Sequence, residues 1–196
     1  DVYKRQDHSM GGGGTSVLTD VAIGMAGEIF VSGYFYGEIA FGPPGPNTMI
    51  SNLNAGYHYE GFVARADPMG NWMWATSFST LVNGTGEFSE AGALAVDMMG
   101  DLFVTGEFSG ETDFGGMSIN ATSRDVFVAK FDGNMGTLSW VINGGGIGTD
   151  QVFDMSITPS GGVKLATLTD GISQWGTTSY IACLLYTSDA ADDDVR

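Results

Sequence analysis

Ala22–Gly42 reads AIGMAGEIFVSGYFYGEIAFG, and Ala95–Gly115 reads AVDMMGDLFVTGEFSGETDFG. The two stretches lie 73 residues apart and agree at 11 of 21 positions without a gap. Shared positions include Gly27/Gly100, Phe30/Phe103, Val31/Val104, Gly33/Gly106, Gly37/Gly110 and Phe41/Phe114. Ungapped self-similarity at a fixed spacing marks a repeated structural unit. Downstream, GFVARAD (Gly61–Asp67) answers VFVAKFD (Val126–Asp132) at an offset of 65, so the first copy carries about eight extra residues between its blocks. A third copy opens where Gly145–Ile157 answers Gly11–Ile23 at an offset of 134, with Asp154 matching Asp20. The unit is therefore 61 to 73 residues long.

Within a unit, ALAVD, DLFVTGEF, DVFVAKF and LSWVI alternate β-branched or aromatic residues with others and are separated by Gly, Asp and Asn. Recurrent glycine and the lack of a 3.6-residue period argue against helix. MAGE and MMGD, then DPMGN and DGNMG, read as tight turns whose Asp and Asn cap the backbone and whose Gly takes positive φ. Four strands per tandem unit of this length is the arithmetic of a β-propeller. The expected fold is all-β: part of a propeller of four-stranded antiparallel blades, about two and a half of them present. Residues 7–15 close a preceding blade, 16–78 and 79–143 form two blades, and 144–182 begin a third. Stacked neighbours supply the core that one blade lacks, and the remaining blades of the same chain are then its first partners.

The ends read differently. DVYKRQ (residues 1–6) is a translation of GATGTGTATAAGAGACAG, and CLLYTS, from Cys183, is a translation of its reverse complement. Residues 1–6 and 183–196 are thus expected to be translated sequencing-adapter segments, in the manner of a metagenomic fragment, and no part of the fold. The whole chain of 196 residues has a formal charge of -16; residues 7–182 hold 18 acids against Arg65, Arg124, Lys130 and Lys164, a net -14. That balance argues against a nucleic-acid partner, whose backbone requires clustered Lys and Arg. With Cys183 in the adapter-like tail, disulfide and thiol chemistry fall away. No apolar run is long enough to span a bilayer as a helix.

GDLFVTGEFSGETDFGG and DVFVAKFDGNMGTLSWVINGGG together resemble the bacterial SBBP-type β-propeller repeat. The resemblance covers nearly all of residues 7–182 and departs at GGVKLATLTDG (Gly161–Gly171), where the VTG strand is degraded. It implies a secreted or cell-surface bacterial protein and specifies no ligand.

Successive connections in an antiparallel blade alternate between its two ends, so the tight turns share one end. The long connections share the other: Gly42–Glu60, Gly115–Arg124, Ser79–Gly92 and Gly144–Gln151. Loops on a rigid scaffold are where binding groups collect, and Tyr57, His58, Tyr59 and Glu60 are the most individual group there. Their rings and polar atoms suit a sugar or peptide, or else pack at the strand entry. Trp74 and Trp140 match in the final strand and read as core or inter-blade packing; Trp72 is expected to point the same way as Trp74. Trp175 is compatible with either side of its strand. Asp67, Asp97, Asp101, Asp113 and Asp132 follow the turns, so capping is their expected role, with a weak Ca²⁺ site near turns or blade junctions as the alternative. Glu38 and Glu111 repeat as a fold constraint would.

No nucleophile elbow, zinc-protease helix or phosphate loop is present, and only His8 and His58 are available as neutral-pH bases. No catalytic residue, metal ligand or cofactor is assigned from sequence. The expected function is a non-enzymatic scaffold for spacing, adhesion or binding of a protein or glycan. A lectin-like module is the first alternative and an extracellular hydrolase or glycosidase the second.

Overall fold

The structure is a computed structural model and describes residues 15–41, 49–51, 58–81, 86–170, 172–175 and 178–181. Every regular element among the described residues is a strand. The first unit contains β1 (Thr15–Ile23), β2 (Ile29–Tyr36), the short pair β3 (Glu38–Ala40) and β4 (Met49–Ser51), β5 (Glu60–Ala66) and β6 (Trp72–Leu81). The second contains β7 (Phe88–Val96), β8 (Leu102–Asp113), β9 (Ser118–Phe131) and β10 (Leu138–Gly145). The third contributes β11 (Gln151–Ile157), β12 (Val163–Leu168), β13 (Ile172–Trp175) and β14 (Thr178–Ile181). All pairings are antiparallel: β1-β2-β5-β6 in the first unit, β7-β8-β9-β10 in the second, β11-β12 in the third.

The repeat extends to its irregularities. The first strand of each unit carries a bulge at the same place, between Leu18 and Asp20, Ala91 and Ala93, and Val152 and Asp154. The fourth strand carries another, at Met73 and at Ser139. A bulge inserts one residue and reverses the alternation beyond it. Trp72 and Trp74 consequently face opposite sides of the sheet, which corrects the expectation that they point together: Trp72 packs on Phe41 at 4.9 Å, and Trp74 on Phe30 at 6.2 Å.

The repeated glycines answer two different constraints. A Cβ at Gly33 or Gly106 would collide with the carbonyl of the neighbouring first strand, Val17 or Glu90, and with the ring of Phe62 or Phe127. Gly27 and Gly100 are turn residues with positive φ, 91° and 87°, and each donates its N–H to the carbonyl three residues back, Gly24 or Asp97. Both are the positive-φ turn glycines expected from the sequence, although their surroundings differ. A Cβ at Gly27 would touch Pro68, whereas at Gly100 it would meet nothing within 4 Å. Gly100 is a half-buried turn residue. Only its left-handed backbone requires glycine there.

The second connection of the second unit also differs from expectation. Gly115–Arg124 is not a long loop, because β9 begins at Ser118 and pairs with the far end of β8. Ala121 is buried and Ile119 packs on the core, while Asp113 closes the turn by accepting the N–H groups of Gly115 and Gly116. In the first unit β3 and β4 occupy the corresponding place.

Each unit presents one face to the next. Phe30, Val63, Trp74 and Phe78 of the first unit pack against Leu94, Val104, Phe108, Phe114, Phe127 and Phe131 of the second. Phe103 and Trp140 of the second then pack against Met155, Ile157, Val163 and Leu165 of the third. Val31, Phe35, Phe41 and Phe62 form a separate core on the reverse face of the first unit. Edge pairing reinforces the joints: Ser79–Leu81 of β6 pairs with Glu111–Asp113 of β8, and Gly144–Gly145 of β10 pairs with Gln174–Trp175 of β13. Trp175 therefore takes a definite side, against Gly144, where no side chain has room.

Phe78 lies within 6 Å of Phe114, Phe127 and Phe131, at 4.8, 5.5 and 5.9 Å. Phe78→Ala is expected to cost about 3–5 kcal/mol in chemical denaturation, because the rings around it belong to the other unit and cannot close the gap. A loss under about 1 kcal/mol would show that this inter-unit core is not formed in solution.

Candidate functional site

The loop-end candidates are Tyr57, His58, Tyr59 and Glu60. Tyr57 lies outside the described residues. His58 is partly buried, with Nδ1 2.9 Å from the Glu87 carbonyl, so that nitrogen carries the donated hydrogen. Tyr59 is exposed and stands edge-on to Tyr34, ring centroids 5.2 Å apart, while its own carbonyl accepts Ser89 N–H. Glu60 is fully buried. The chain thus brings His58, Tyr59 and Glu60 together at the joint between the first two units, and of the three only Tyr59 offers substantial surface to a ligand.

The same joint recurs one unit later at Ser123, Arg124 and Asp125. Ser123 Oγ donates to the Gly146 carbonyl at 2.8 Å, and the Arg124 carbonyl accepts Asp150 N–H as the Tyr59 carbonyl accepts Ser89 N–H. Side chains change in matched pairs. Where the first unit has Tyr34 beside Tyr59, the second has Glu107 and Arg124 in a 3.1 Å ion pair, with the guanidinium over the Phe88 ring at 4.6 Å.

Glu90 stands directly opposite Glu107 across β7 and β8. Burial pushes Glu90 above the ordinary carboxylate range, with Arg124 pulling it partly back. Burial likewise raises Glu107, against the pull of Val152 N–H and Arg124 and with a further push from Glu90. The corresponding pairs are Val17–Tyr34 and Gln151–Leu168, so this pair of carboxylates is not repeated. Glu107 is engaged by Arg124 and by Val152 N–H at 3.2 Å, with the Glu90 carboxyl facing it across the strand pair.

The turn aspartates form hydrogen bonds of their own. Asp67 Oδ1 accepts Met69 and Asn71 N–H, Asp97 Oδ1 accepts Met99 and Asp101 N–H, and Asp132 Oδ1 accepts Asn134 and Met135 N–H. A bond from the Asn71 side chain is the largest influence holding Asp67 below the usual carboxylate range. Among the described residues no group of three or more His, Cys, Asp or Glu is arranged to hold a metal ion.

Two basic residues escaped the sequence reading. Arg65 lies between Phe30 and Trp74 across three paired strands and Lys130 between Phe103 and Trp140. Arg65 reaches Glu28 at 3.6 Å and Lys130 reaches Asp101 at 2.8 Å. Their signal was the shared place of the base in GFVARAD and VFVAKFD. Comparison with protein-family models and with curated proteins finds no match to this chain.

Like charges directly opposite on paired strands destabilise a sheet. Glu90→Gln is expected to raise stability near neutral pH by about 0.2–1 kcal/mol. Because the native state holds these carboxyl groups above their ordinary value of 4.5, the penalty is present at high pH and fades as the pH falls through the raised values. The advantage of Glu90→Gln should fade in step; equal stability of both proteins near neutral pH would refute the repulsion.

Proposed function

We propose that this chain is a run of stacked blades of a β-propeller in a secreted or cell-surface bacterial protein, acting as a non-enzymatic scaffold for spacing, adhesion or binding. The observation that carries this reading is the recurring joint, in which the aromatic face of one unit lies on the next. Its logic extends to the reverse face of the first unit. Leu18 and Val21 are 64% and 59% exposed, whereas their counterparts Ala91 and Leu94 are 0% and 7% exposed beneath the preceding unit. A further blade bearing a Phe–Trp face is the occupant this surface fits. The acidic surface suits a solvated extracellular setting and repels anionic partners. Among the described residues no helix is long and apolar enough to cross a membrane.

The test is the uninterrupted reading frame. Expressed whole, the protein is expected to give closed rings of blades in electron-microscopic averages and to carry an export signal; an open sheet, or retention in the cytoplasm, overturns the proposal. The exposed face itself is tested by Val21→Glu, which in this chain should reduce binding of an apolar dye and in the whole protein should destabilise the ring.

The Tyr34–Tyr59 pair favours a second reading, a lectin-like module that stacks a sugar on the exposed ring of Tyr59. A glycan array with the complete propeller, beside Tyr57→Ala and Tyr59→Ala, decides it. Loss of signal in either variant supports that loop, and binding unchanged by both removes it.

A further inference from the structure

Where the second unit passes to the third, the backbone around Gly145 closes on Asp125. A Cβ at Gly145 would run into that carboxyl group. Asp125 is 6% exposed and Asp150 1%. The Gly146 N–H donates to Asp150 Oδ2 at 3.2 Å, so the two acids meet at adjacent glycines, Asp125 against Gly145 and Asp150 on Gly146. Ser123 Oγ lies 3.5 Å from Asp125 Oδ1. The second oxygen of Asp150, Oδ1, is enclosed and has no hydrogen-bond partner. Arg124 is adjacent in sequence, but its guanidinium faces Glu107 and Phe88. Asp170 adds a further negative field from beyond β12.

The preceding joint provides an internal control. There Ser89 occupies the place of Asp150, giving its hydroxyl hydrogen to the Phe78 carbonyl at 2.7 Å and accepting Gly61 N–H at 3.0 Å. Replacing that serine by an aspartate adds a charge and an acceptor and removes a donor. Two enclosed carboxylates without a facing base are costly unless a positive charge joins them.

We propose that Asp125 and Asp150 are the anionic ligands of a hard-cation site, of the Ca²⁺ class, that ties the start of β11 to β9. Its side-chain ligating atoms are all oxygen, which suits Ca²⁺ and excludes the softer metals that prefer nitrogen or sulfur. The site is independent of whether the whole protein is a propeller. Both carboxyl groups must be ionised to hold the ion, and burial raises both above the ordinary carboxylate value. Affinity should therefore fall as the pH drops through those raised values.

Thermal unfolding of the full chain after chelation, then with millimolar Ca²⁺ alone near neutral pH, tests this. The midpoint is expected to rise by about 5 °C. Asp150→Asn and Asp150→Ser, the latter copying Ser89, should lose most of that rise. Without Ca²⁺ both should unfold at or above the midpoint of the unsubstituted chain, because one of two like charges is gone. No rise with Ca²⁺, or an equal rise in both variants, overturns the proposal.

Discussion

Everything beyond a single sheet rests on one cross-strand row, repeated twice: an aromatic ring, a base and a tryptophan on three neighbouring strands. In the first unit these are Phe30, Arg65 and Trp74; in the second, Phe103, Lys130 and Trp140. The bases lie 6.0 and 5.0 Å from the Phe ring centroids, where the ring face attracts a cation. Each is neutralised at the turn end by Glu28 or Asp101. In a chain with only seven Lys and Arg, placing two of them so deeply needs that partner, since an unpaired base at a joint would carry its full desolvation cost. The row gives each unit a broad apolar face with a paired charge at its rim, and that face receives the next unit.

The joints keep their backbone and vary their side chains in compensating pairs. Phe78 meets Phe114 at the first joint; at the second, Gly144 stands in place of Phe78 and Trp175 in place of Phe114, so a larger ring fills the space left by a missing one. The tyrosine pair Tyr34–Tyr59 gives way to the ion pair Glu107–Arg124. Close packing explains this coupling: a change in volume or charge on one side of a dry contact is tolerated when the other side changes with it. The bulges do not vary because they set which residues reach the joint at all. Trp74 Nε1 shows how closely units interlock, donating to the Gly133 carbonyl in a turn of the neighbouring unit at 3.2 Å.

Much of the candidate site was hidden for the same reason. Tyr57–Glu60 stood out in the sequence as an unusual loop, yet Glu60 is enclosed and His58 is fastened to the Glu87 backbone, because the chain re-enters the sheet there beside the next unit. The Glu90–Glu107–Arg124 cluster and the Asp125–Asp150 pair left no motif. Their successive members are 17 to 25 residues apart and meet through strand pairing and through the turn of the chain between units.

The sequence by itself determined the repeat, the all-β character, and the capped turns with glycines at positive φ. Those properties are local: turn geometry depends on a few consecutive residues, and a strand's alternation can be read along its own length. Only the tertiary structure decided that Trp72 and Trp74 part company, that Gly100 stands in open space where Gly27 meets Pro68, and that β9 reaches back to Ser118. It also decided that Trp175 covers Gly144 and that Asp125 and Asp150 meet at Gly145 and Gly146. A single-residue bulge changes side-chain direction without changing composition, and a joint brings together residues whose separation along the chain no periodicity records. The repeat told which unit follows which, and packing alone told which faces meet.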